Sequence, residues 1–258
     1  MRKLCFSTIV FGWYQDFIPL YIYSILSNFP QHHVKIFLLE TLTPTNRQHL
    51  DMIPNSNWEI IENFRPANTS PKSARYFLGP EYFSDFDYIY IGDIDIMIFN
   101  EFNQKNFYEF YLDKCEKTNL PFSNSWYFDS NIGRYRMSGL HFIIKDPYFN
   151  QMSVMLSKSY FSSNEYSFDE QLLFSMLSQI FDLRNIGINR YQRPLHGFHF
   201  GPFRTHPSPS VIEISTTHDI NMRNLLKTDF FKQCYSTLCP EIKELVSQIR
   251  LELIGRPF

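Results

Sequence analysis

Residues 88–99, with the sequence YIYIGDIDIMIF, decide the fold of this chain. The first four alternate aromatic and aliphatic side chains, a pattern that predicts a buried strand. Asp93 and Asp95 follow with one residue between them, and apolar residues resume at once. Buried charges are almost always paired or bound to a metal, so two acids within this run indicate a cation. The spacing predicts that both carboxylates bind one hard divalent ion, Mn²⁺ or Mg²⁺, and such an ion commonly bridges a diphosphate. The alternative is a strand-to-turn junction with solvated aspartates.

Strand and helix patterns alternate along the rest of the chain, which predicts an α/β fold with a mostly parallel sheet flanked by helices. In such sheets ligands bind beyond the carboxyl ends of the strands, where this pattern puts the two aspartates. The predicted strands are residues 3–11, 33–39, 58–61, 88–91 and 137–144. The predicted helices are residues 19–29, 44–52, 71–83, 107–117, 167–181, 219–233 and 240–254, with one more after Pro147. Residues 118–135 are polar, which predicts a long loop, and residues 190–210 are rich in proline, which predicts a segment that is mostly loop.

The length fits one large α/β domain, or one domain with a small C-terminal addition. The chain has 258 residues, of which 44% are hydrophobic and 18% aromatic, enough for a full core. We expect the main domain over residues 1–210 and a helical extension packed on it over residues 211–258. A formal net charge of −2 gives no field that would favour nucleic acid.

Cysteine usage and hydropathy indicate a cytoplasmic protein. The four cysteines have no C-x-x-C or metal-finger spacing, which is typical of scattered reduced thiols. No run of about 18 apolar residues could span a membrane. The first residues predict a strand and lack the small-residue cleavage site of a signal peptide.

A proline-rich loop late in the chain carries His196 and His199, followed by Gly201 and Arg204. Neutral imidazole binds Mn²⁺ well, so one of these histidines would complete a site built on the two aspartates. The glycine would let the loop backbone approach phosphate oxygens. Arg204, or Arg193 before it, could pair with a diphosphate. The alternative is a loop whose histidines bond to the backbone and whose arginines are solvated.

Four further side chains are candidates for substrate contacts. Asp169 and Glu170 open a predicted helix, and either could bind sugar hydroxyls or act as base or nucleophile on a sugar carbon. A capping box with Ser167 is the alternative explanation for Glu170, and acids are favourable in any first helical turn. Arg75 could neutralise a phosphate, hold a sugar hydroxyl or form a structural salt bridge. Tyr14 could stack on a nucleobase or belong to the core.

The order of these motifs resembles the GT-A-fold glycosyltransferases, most of all the family that includes glycogenin and the bacterial lipopolysaccharide galactosyltransferases. The resemblance covers roughly residues 4–204. The segments that carry it are the loop after the first strand at 9–14, the arginine helix at 74–77, the D-x-D at 93–95, the strand R-M-S-G-L at 136–140 and the acidic helix start at 169–173. The histidine loop resembles the family's late motif loosely, because the Lys-Pro-Trp of that motif is missing.

The resemblance implies a GT-A fold, which is Rossmann-like, and metal-dependent transfer of a sugar from a nucleotide sugar, most of all a UDP-sugar. It implies that Asp93 and Asp95 bind the metal and the diphosphate, with His199 favoured over His196 as the third protein ligand. The implied catalytic residues are Asp169, which would hold the donor sugar, and Glu170, which would lie beside its anomeric carbon. Acid stands at 170 where the family has an amide, so retention and inversion both stay open. The implied nucleotide-sugar contacts are Val10, Gly12, Tyr14, Arg75, Asp93, Ile94, Ser138, Gly139, Gly201 and Arg204.

The resemblance also suggests a bacterial cytoplasmic enzyme at the inner face of the membrane that builds lipopolysaccharide O-antigen or capsule chains on a glycan or lipid-linked acceptor. Its closing helices could touch the membrane peripherally. The alternatives are a sugar nucleotidyltransferase, a D-x-D phosphatase, and a non-catalytic carbohydrate-binding protein in which Trp126 and Tyr127 stack on sugar rings. The glycine-rich basic loop of a nucleotidyltransferase is missing after the first strand, and Met97 stands where such a phosphatase usually has Thr or Val. The sequence leaves the oligomeric state open.

Overall fold

The computed structural model of the protein describes residues 3–65, 70–100, 107–131, 133–157, 169–187, 196–201 and 216–254. The strands in these ranges are β1 Leu4–Val10, β2 His33–Leu38, β3 Trp58–Ile61, β4 Tyr88–Ile91, β5 Ile96–Ile98, β6 Phe122–Ser123, β7 Trp126–Asp129, β8 Arg134–Met137, β9 His141–Ile144 and β10 Gly197–His199. The α-helices are α1 Ile18–Asn28, α2 Pro44–Asp51, α3 Pro71–Ala74, α4 Phe107–Thr118, α5 Lys145–Ser157, α6 Asp169–Ser178, α7 Thr216–Lys227, α8 Asp229–Thr237 and α9 Pro240–Ile254. Short 3₁₀ helices span Gly12–Phe17, Arg75–Phe77, Pro80–Phe83 and Leu183–Asn185.

Six strands form the main sheet in the order β3-β2-β1-β4-β9-β6. β1 runs parallel to β4, and β2 runs parallel to β3. β9 is antiparallel to both β4 and β6. Two smaller antiparallel pairs are β5 with β10 and β7 with β8. The predicted α/β fold, with a mixed and mostly parallel sheet flanked by helices, is confirmed.

Contacts divide the chain into two compact units. Unit 1 consists of Met1–Ile9, Asn63–Asp93 and Phe107–Gln192. Unit 2 consists of Val10–Glu62, Ile94–Asn106 and Arg193–Phe258. The predicted boundary between residues 210 and 211 lies outside the described residues, so the division into 1–210 and 211–258 stays a prediction.

Unit 1 is built around β4, all four residues of which are buried. This burial follows from the sequence, because a central strand that is covered on both faces of its sheet needs apolar side chains throughout. The Tyr90 ring packs edge-on against Phe107 of α4, with centroids 4.8 Å apart, and against Phe6 of β1 at 5.8 Å. These contacts fix the strand that leads into Asp93.

Unit 2 is built around α1, which begins next to Pro19, as predicted, and buries most of its length. Its Ser24 hydroxyl accepts a hydrogen bond from the backbone N–H of Ile98 at 3.1 Å, so the helix holds β5 in place. The closing helices also pack within this unit. The backbone N–H of Cys239, just before α9, donates to Asp16 at 2.8 Å.

The predicted loop over 118–135 is wrong, because β6, β7 and the start of β8 lie within it. The hairpin of β7 and β8 turns around Gly133, whose φ of +66° suits glycine. The predicted strand over 137–144 is interrupted. Ser138 and Gly139 separate β8 from β9, and the backbone N–H of Ser138 donates to Ser125 O at 2.9 Å.

Two other predictions differ in detail. Only Pro71–Ala74 of the predicted helix 71–83 is α-helical, and the side chain of Ser70 caps it by accepting from the N–H of Ser73. Three closing helices replace the two that were predicted. Thr228 ends one and caps the next, since its hydroxyl accepts from the N–H of Phe231 at 3.1 Å. None of the helices in the described ranges combines the length and the apolarity needed to cross a bilayer.

Candidate functional site

The D-x-D motif begins two residues after β4 ends. The backbone N–H of Gly92 still donates to Ser7 of β1, at 3.1 Å, so the sheet continues to the residue before Asp93. Asp93 is half-buried and Asp95 is 3% exposed. The motif therefore lies at the carboxyl end of a central strand, where ligands bind in open α/β sheets.

Asp95 faces His199 within unit 2. β5 pairs with β10 so that His199 lies opposite Ile96, the neighbour of Asp95. The backbone N–H of Phe200 donates to the carbonyl of Asp95 at 2.9 Å, which fixes the two segments side by side. The Nε2 atom of His199 lies 3.5 Å from Oδ1 of Asp95. The buried carboxylate thus has an imidazole directly beside it.

Two of the predicted metal ligands, Asp95 and His199, lie side by side within unit 2, and Asp93, two residues before Asp95 in the chain, is the last residue of a segment of unit 1. Two carboxylates and one imidazole are hard or borderline donors that suit Mn²⁺ or Mg²⁺. His196, the other histidine that was predicted as a ligand, is buried, with 2% of the residue exposed. Its backbone carbonyl accepts a hydrogen bond from the N–H of Phe99 at 2.7 Å.

Arg75 is a second partner of the motif, within unit 1. Its Nη1 forms an ion pair with Oδ1 of Asp93, and its Nη2 lies 2.7 Å from Oδ2 of Asp169. Burial would lower the pKa of Arg75, but Asp93, Tyr76 and Asp169 raise it well above its ordinary value. The guanidinium is therefore permanently charged. It occupies one oxygen of Asp93, and a carboxylate has a second oxygen for another cation.

Gly139 has to be a glycine because Arg75 comes so close. A Cβ at this position would lie 2.9 Å from Nη2 of Arg75 and 3.2 Å from Oδ2 of Asp93. The neighbouring Ser138 is buried, and its hydroxyl accepts from the N–H of Leu140 at 3.1 Å. Contact of Ser138 and Gly139 with a nucleotide sugar stays a prediction.

The two acids at the start of α6 have different arginine partners. Asp169 pairs with Arg75, whereas Oε2 of Glu170 pairs with Nη2 of Arg136 in β8. Arg136 also pairs with Asp129 of β7, at 2.9 Å between Nη1 and Oδ2. Glu170 is therefore engaged by an arginine, and the predicted capping partner Ser167 lies outside the described residues.

The remaining predicted contacts around the first strand lie in unit 2. Val10 is fully buried in β1, and its carbonyl accepts from the N–H of Leu39 at 3.0 Å. Gly12 has a φ of +60°, and its N–H donates to Glu40 at 3.1 Å. The half-buried Tyr14 ring stacks on Trp13 with centroids 4.1 Å apart. Contact of these residues with a nucleotide stays a prediction.

Three predicted residues remain near the D-x-D and the histidine loop. Ile94 is buried between the two aspartates. A Cβ on Gly201 would lie 2.5 Å from Nε2 of His199, so this glycine leaves room for the imidazole. Arg204 and the alternative Arg193 lie outside the described residues.

Sequence reasoning missed the part that Arg136 and Asp129 play. Arg136 entered only as the first letter of a strand motif, and Asp129 stood within a predicted loop. The available signal was the alternation of charged and apolar residues over 134–137, R-Y-R-M, which is typical of a strand with one charged face.

Comparison with known proteins gives no match to any family model and none to any curated protein. Solved structures do match. The galactosyltransferase LgtC, crystallised with donor and acceptor sugar analogues, matches with a TM-score of 0.46 and 16% identity over 67% of this chain and 70% of LgtC. The glycosyltransferase GlyE of Streptococcus pneumoniae TIGR4 gives a TM-score of 0.45 and 13% identity over 73% of this chain and 46% of GlyE.

The bifunctional glycosyltransferase WbbM gives a TM-score of 0.48 and 11% identity over 96% of this chain and 52% of WbbM. This chain spans about half the length of GlyE and WbbM. All three proteins are glycosyltransferases.

Proposed function

We propose that this chain is a metal-dependent glycosyltransferase that moves a sugar from a nucleotide sugar, with UDP as the favoured nucleotide, to a glycan or lipid-linked acceptor. One observation carries the proposal. The carboxylate of Asp95 is almost fully buried, the imidazole of His199 lies beside it, and Asp93 is two residues away. A buried carboxylate is costly unless a cation or a hydrogen-bond donor compensates it.

The donor set fits a divalent cation. Asp93, Asp95 and His199 would hold Mn²⁺ or Mg²⁺, and the bound ion would supply positive charge against the negative charge that develops on a departing diphosphate. Arg75 would add a second, fixed positive charge, because its guanidinium pairs with Asp93. Because Arg75 also pairs with Asp169, it links the D-x-D to the start of α6.

Two acids are proposed to act on the sugar. Asp169, held by Arg75, would accept hydrogen bonds from hydroxyls of the donor sugar. Glu170 would act at the anomeric carbon as nucleophile or base. Burial raises the pKa of Glu170, Arg136 opposes that rise, and Asp169 and Asp93 add to it. A carboxylate with a raised pKa is a better proton acceptor than an ordinary one.

The acceptor belongs to the proposal as well. The motif order resembles the lipopolysaccharide galactosyltransferases, and this favours an O-antigen, capsule or lipopolysaccharide acceptor at the cytoplasmic face of a bacterial membrane. The backbone groups of Gly12, Gly139 and Gly201 are proposed to approach the nucleotide sugar, since glycine leaves room for a close ligand.

The test is turnover of nucleotide sugars with Mn²⁺, measured as release of the nucleoside diphosphate. The double variant Asp93→Asn/Asp95→Asn should lose at least about a hundredfold in turnover, because one missing electrostatic partner of a transition state already costs that much. The exposed Asp146→Asn is the matched control and should keep wild-type turnover. Equal turnover in the double variant and the wild type would refute the proposed site.

A carbohydrate-binding protein is the second candidate. Phe128 and Tyr135 favour it, because both rings are exposed, at 48% and 46%. The two aromatics that the sequence suggested are half-buried, and the indole N–H of Trp126 donates to Leu183 O at 3.3 Å. Binding of free glycan without Mn²⁺, together with no turnover of any nucleotide sugar, would favour this candidate over the enzyme.

A further inference from the structure

The hairpin of β7 and β8 has one aromatic face and one charged face. Residues opposite each other in an antiparallel pair share a face. Trp126 lies opposite Met137 and Phe128 opposite Tyr135, which makes the aromatic face. Tyr127 lies opposite Arg136 on the other face, where Asp129 also points. The charged face meets the first turn of α6 through the ion pair of Arg136 with Glu170.

Arg136 is fixed by groups other than Glu170. Its Nη1 lies 2.9 Å from the carboxylate of Asp129, which is 14% exposed. Its guanidinium carbon lies 5.6 Å from the centre of the Tyr127 ring, within cation–π range. Two contacts from the same hairpin thus hold the guanidinium, and its remaining Nη2 is directed at Glu170. Because Arg136 is 16% exposed, this arrangement is largely screened from water.

Glu170 needs this partner. Its side chain is 16% exposed, and its neighbours are mostly acidic or phenolic. Asp169 adjoins it on α6, Asp93 follows β4, and Tyr127 and Tyr76 lie within electrostatic range. A buried carboxylate beside other acids is driven toward its neutral form unless a cation is present.

We propose that Arg136 is a positioning residue of the reaction, which holds the Glu170 carboxylate in place and is itself held by Asp129 and Tyr127. This role rests on the proposed function of Glu170 at the sugar carbon. Arg136 touches neither sugar nor nucleotide in this scheme. It keeps the acid ionised and limits its rotation, so that the carboxylate is ready before the donor binds.

The pH dependence follows from these contacts. Without Arg136, burial and Asp169 act on Glu170 unopposed, and its pKa rises further. The step needs the ionised form, so the acid limb of the pH–rate profile should move to higher pH. An opposite charge at contact distance shifts a carboxyl pKa by about one to three units, and the limb should move by about that much.

The test compares three variants of the full chain. Arg136→Met and Arg136→Gln remove the charge, and Arg136→Lys retains it without the two-pronged geometry. Turnover of the donor would be measured from pH 5 to pH 9 at saturating Mn²⁺. We expect the midpoint of the acid limb to move up by about one pH unit or more in the Met and Gln variants, and by less in the Lys variant. The KM for the donor should stay within about twofold of the wild-type value. The exposed Arg134→Met on the same strand is the matched control and should leave the limb in place.

A second readout does not depend on activity. Carboxyl ¹³C NMR, with the Glu170 signal assigned by its loss in Glu170→Gln, should show the same upward shift in Arg136→Met or Arg136→Gln, whichever folds. If the wild type turns over nucleotide sugars but neither the limb nor the Glu170 titration moves, the role of Arg136 is refuted. If the wild type turns over none, the glycosyltransferase proposal fails, and the role of Arg136 in that reaction fails with it.

Discussion

Replacing Arg75 with methionine should destabilise the protein strongly, because it leaves two carboxylates without their shared counterion. Arg75 is 8% exposed and pairs with both Asp93 and Asp169. Removing one partner of a buried ion pair costs about 3–5 kcal/mol. The side chain of Asp93 is 34% exposed, so water partly compensates its charge, and we take the lower end, about 3 kcal/mol.

The assay is thermal unfolding at pH 7 without metal. For a chain of this size 1 kcal/mol lowers the unfolding midpoint by about 2–4 °C, so we expect Arg75→Met to melt about 6–12 °C below the wild type. Arg184→Met is the matched control, because Arg184 forms an exposed pair with Asp182 and its loss should leave the midpoint unchanged. A midpoint for Arg75→Met within 2 °C of the wild type would refute the view that Arg75 neutralises these acids.

Three other predictions concern the histidines and a glycine. Gly201→Ala should reduce Mn²⁺-dependent turnover at least about tenfold, because its Cβ would come within 2.5 Å of the His199 ring, whereas Gly187→Ala, with nothing within 4 Å, should not. His199→Asn should weaken Mn²⁺ binding at least about tenfold in calorimetry, and His33→Asn should leave it unchanged. Burial, with a smaller contribution from Arg75, lowers the pKa of His141 to about 3. Between about pH 6.5 and pH 3 the imidazole of His141 therefore binds a proton in the unfolded chain but not in the folded chain, so acid destabilises the fold. His141→Phe should therefore lose less stability than the wild type between pH 6.5 and pH 4.5 in urea titrations, and parallel losses would contradict a neutral His141.

The strands and helices that lead to the D-x-D could be predicted because their signals are local. β4 is apolar at every position, and α1 and α2 each have a proline in the first turn. The cap at Ser70 also depends on a single side chain and the N–H three residues later. Such features need no knowledge of distant contacts.

The hairpin of β7 and β8 was hard to predict because β7 does not alternate between apolar and polar residues, although the short β8 does. Aromatic residues occupy both faces of β7, and charges occupy one face of β8. The ion pairs are also non-local. Arg136 meets an acid 34 residues later in the chain, and Arg75 meets one 94 residues later. Sequence spacing carries no information on such pairings, so both acids at the start of α6 were predicted without their arginines.

Metal-dependent diphosphate binding is most directly measured by calorimetric titration of nucleoside diphosphates, UDP first, into the protein with Mn²⁺ or with EDTA. We expect one of them to bind with Mn²⁺ and to lose at least about a hundredfold in affinity with EDTA, and likewise in Asp95→Asn with Mn²⁺ present. Equal affinity with Mn²⁺ and with EDTA, in wild type and variant alike, would contradict a diphosphate held through a cation at Asp93, Asp95 and His199.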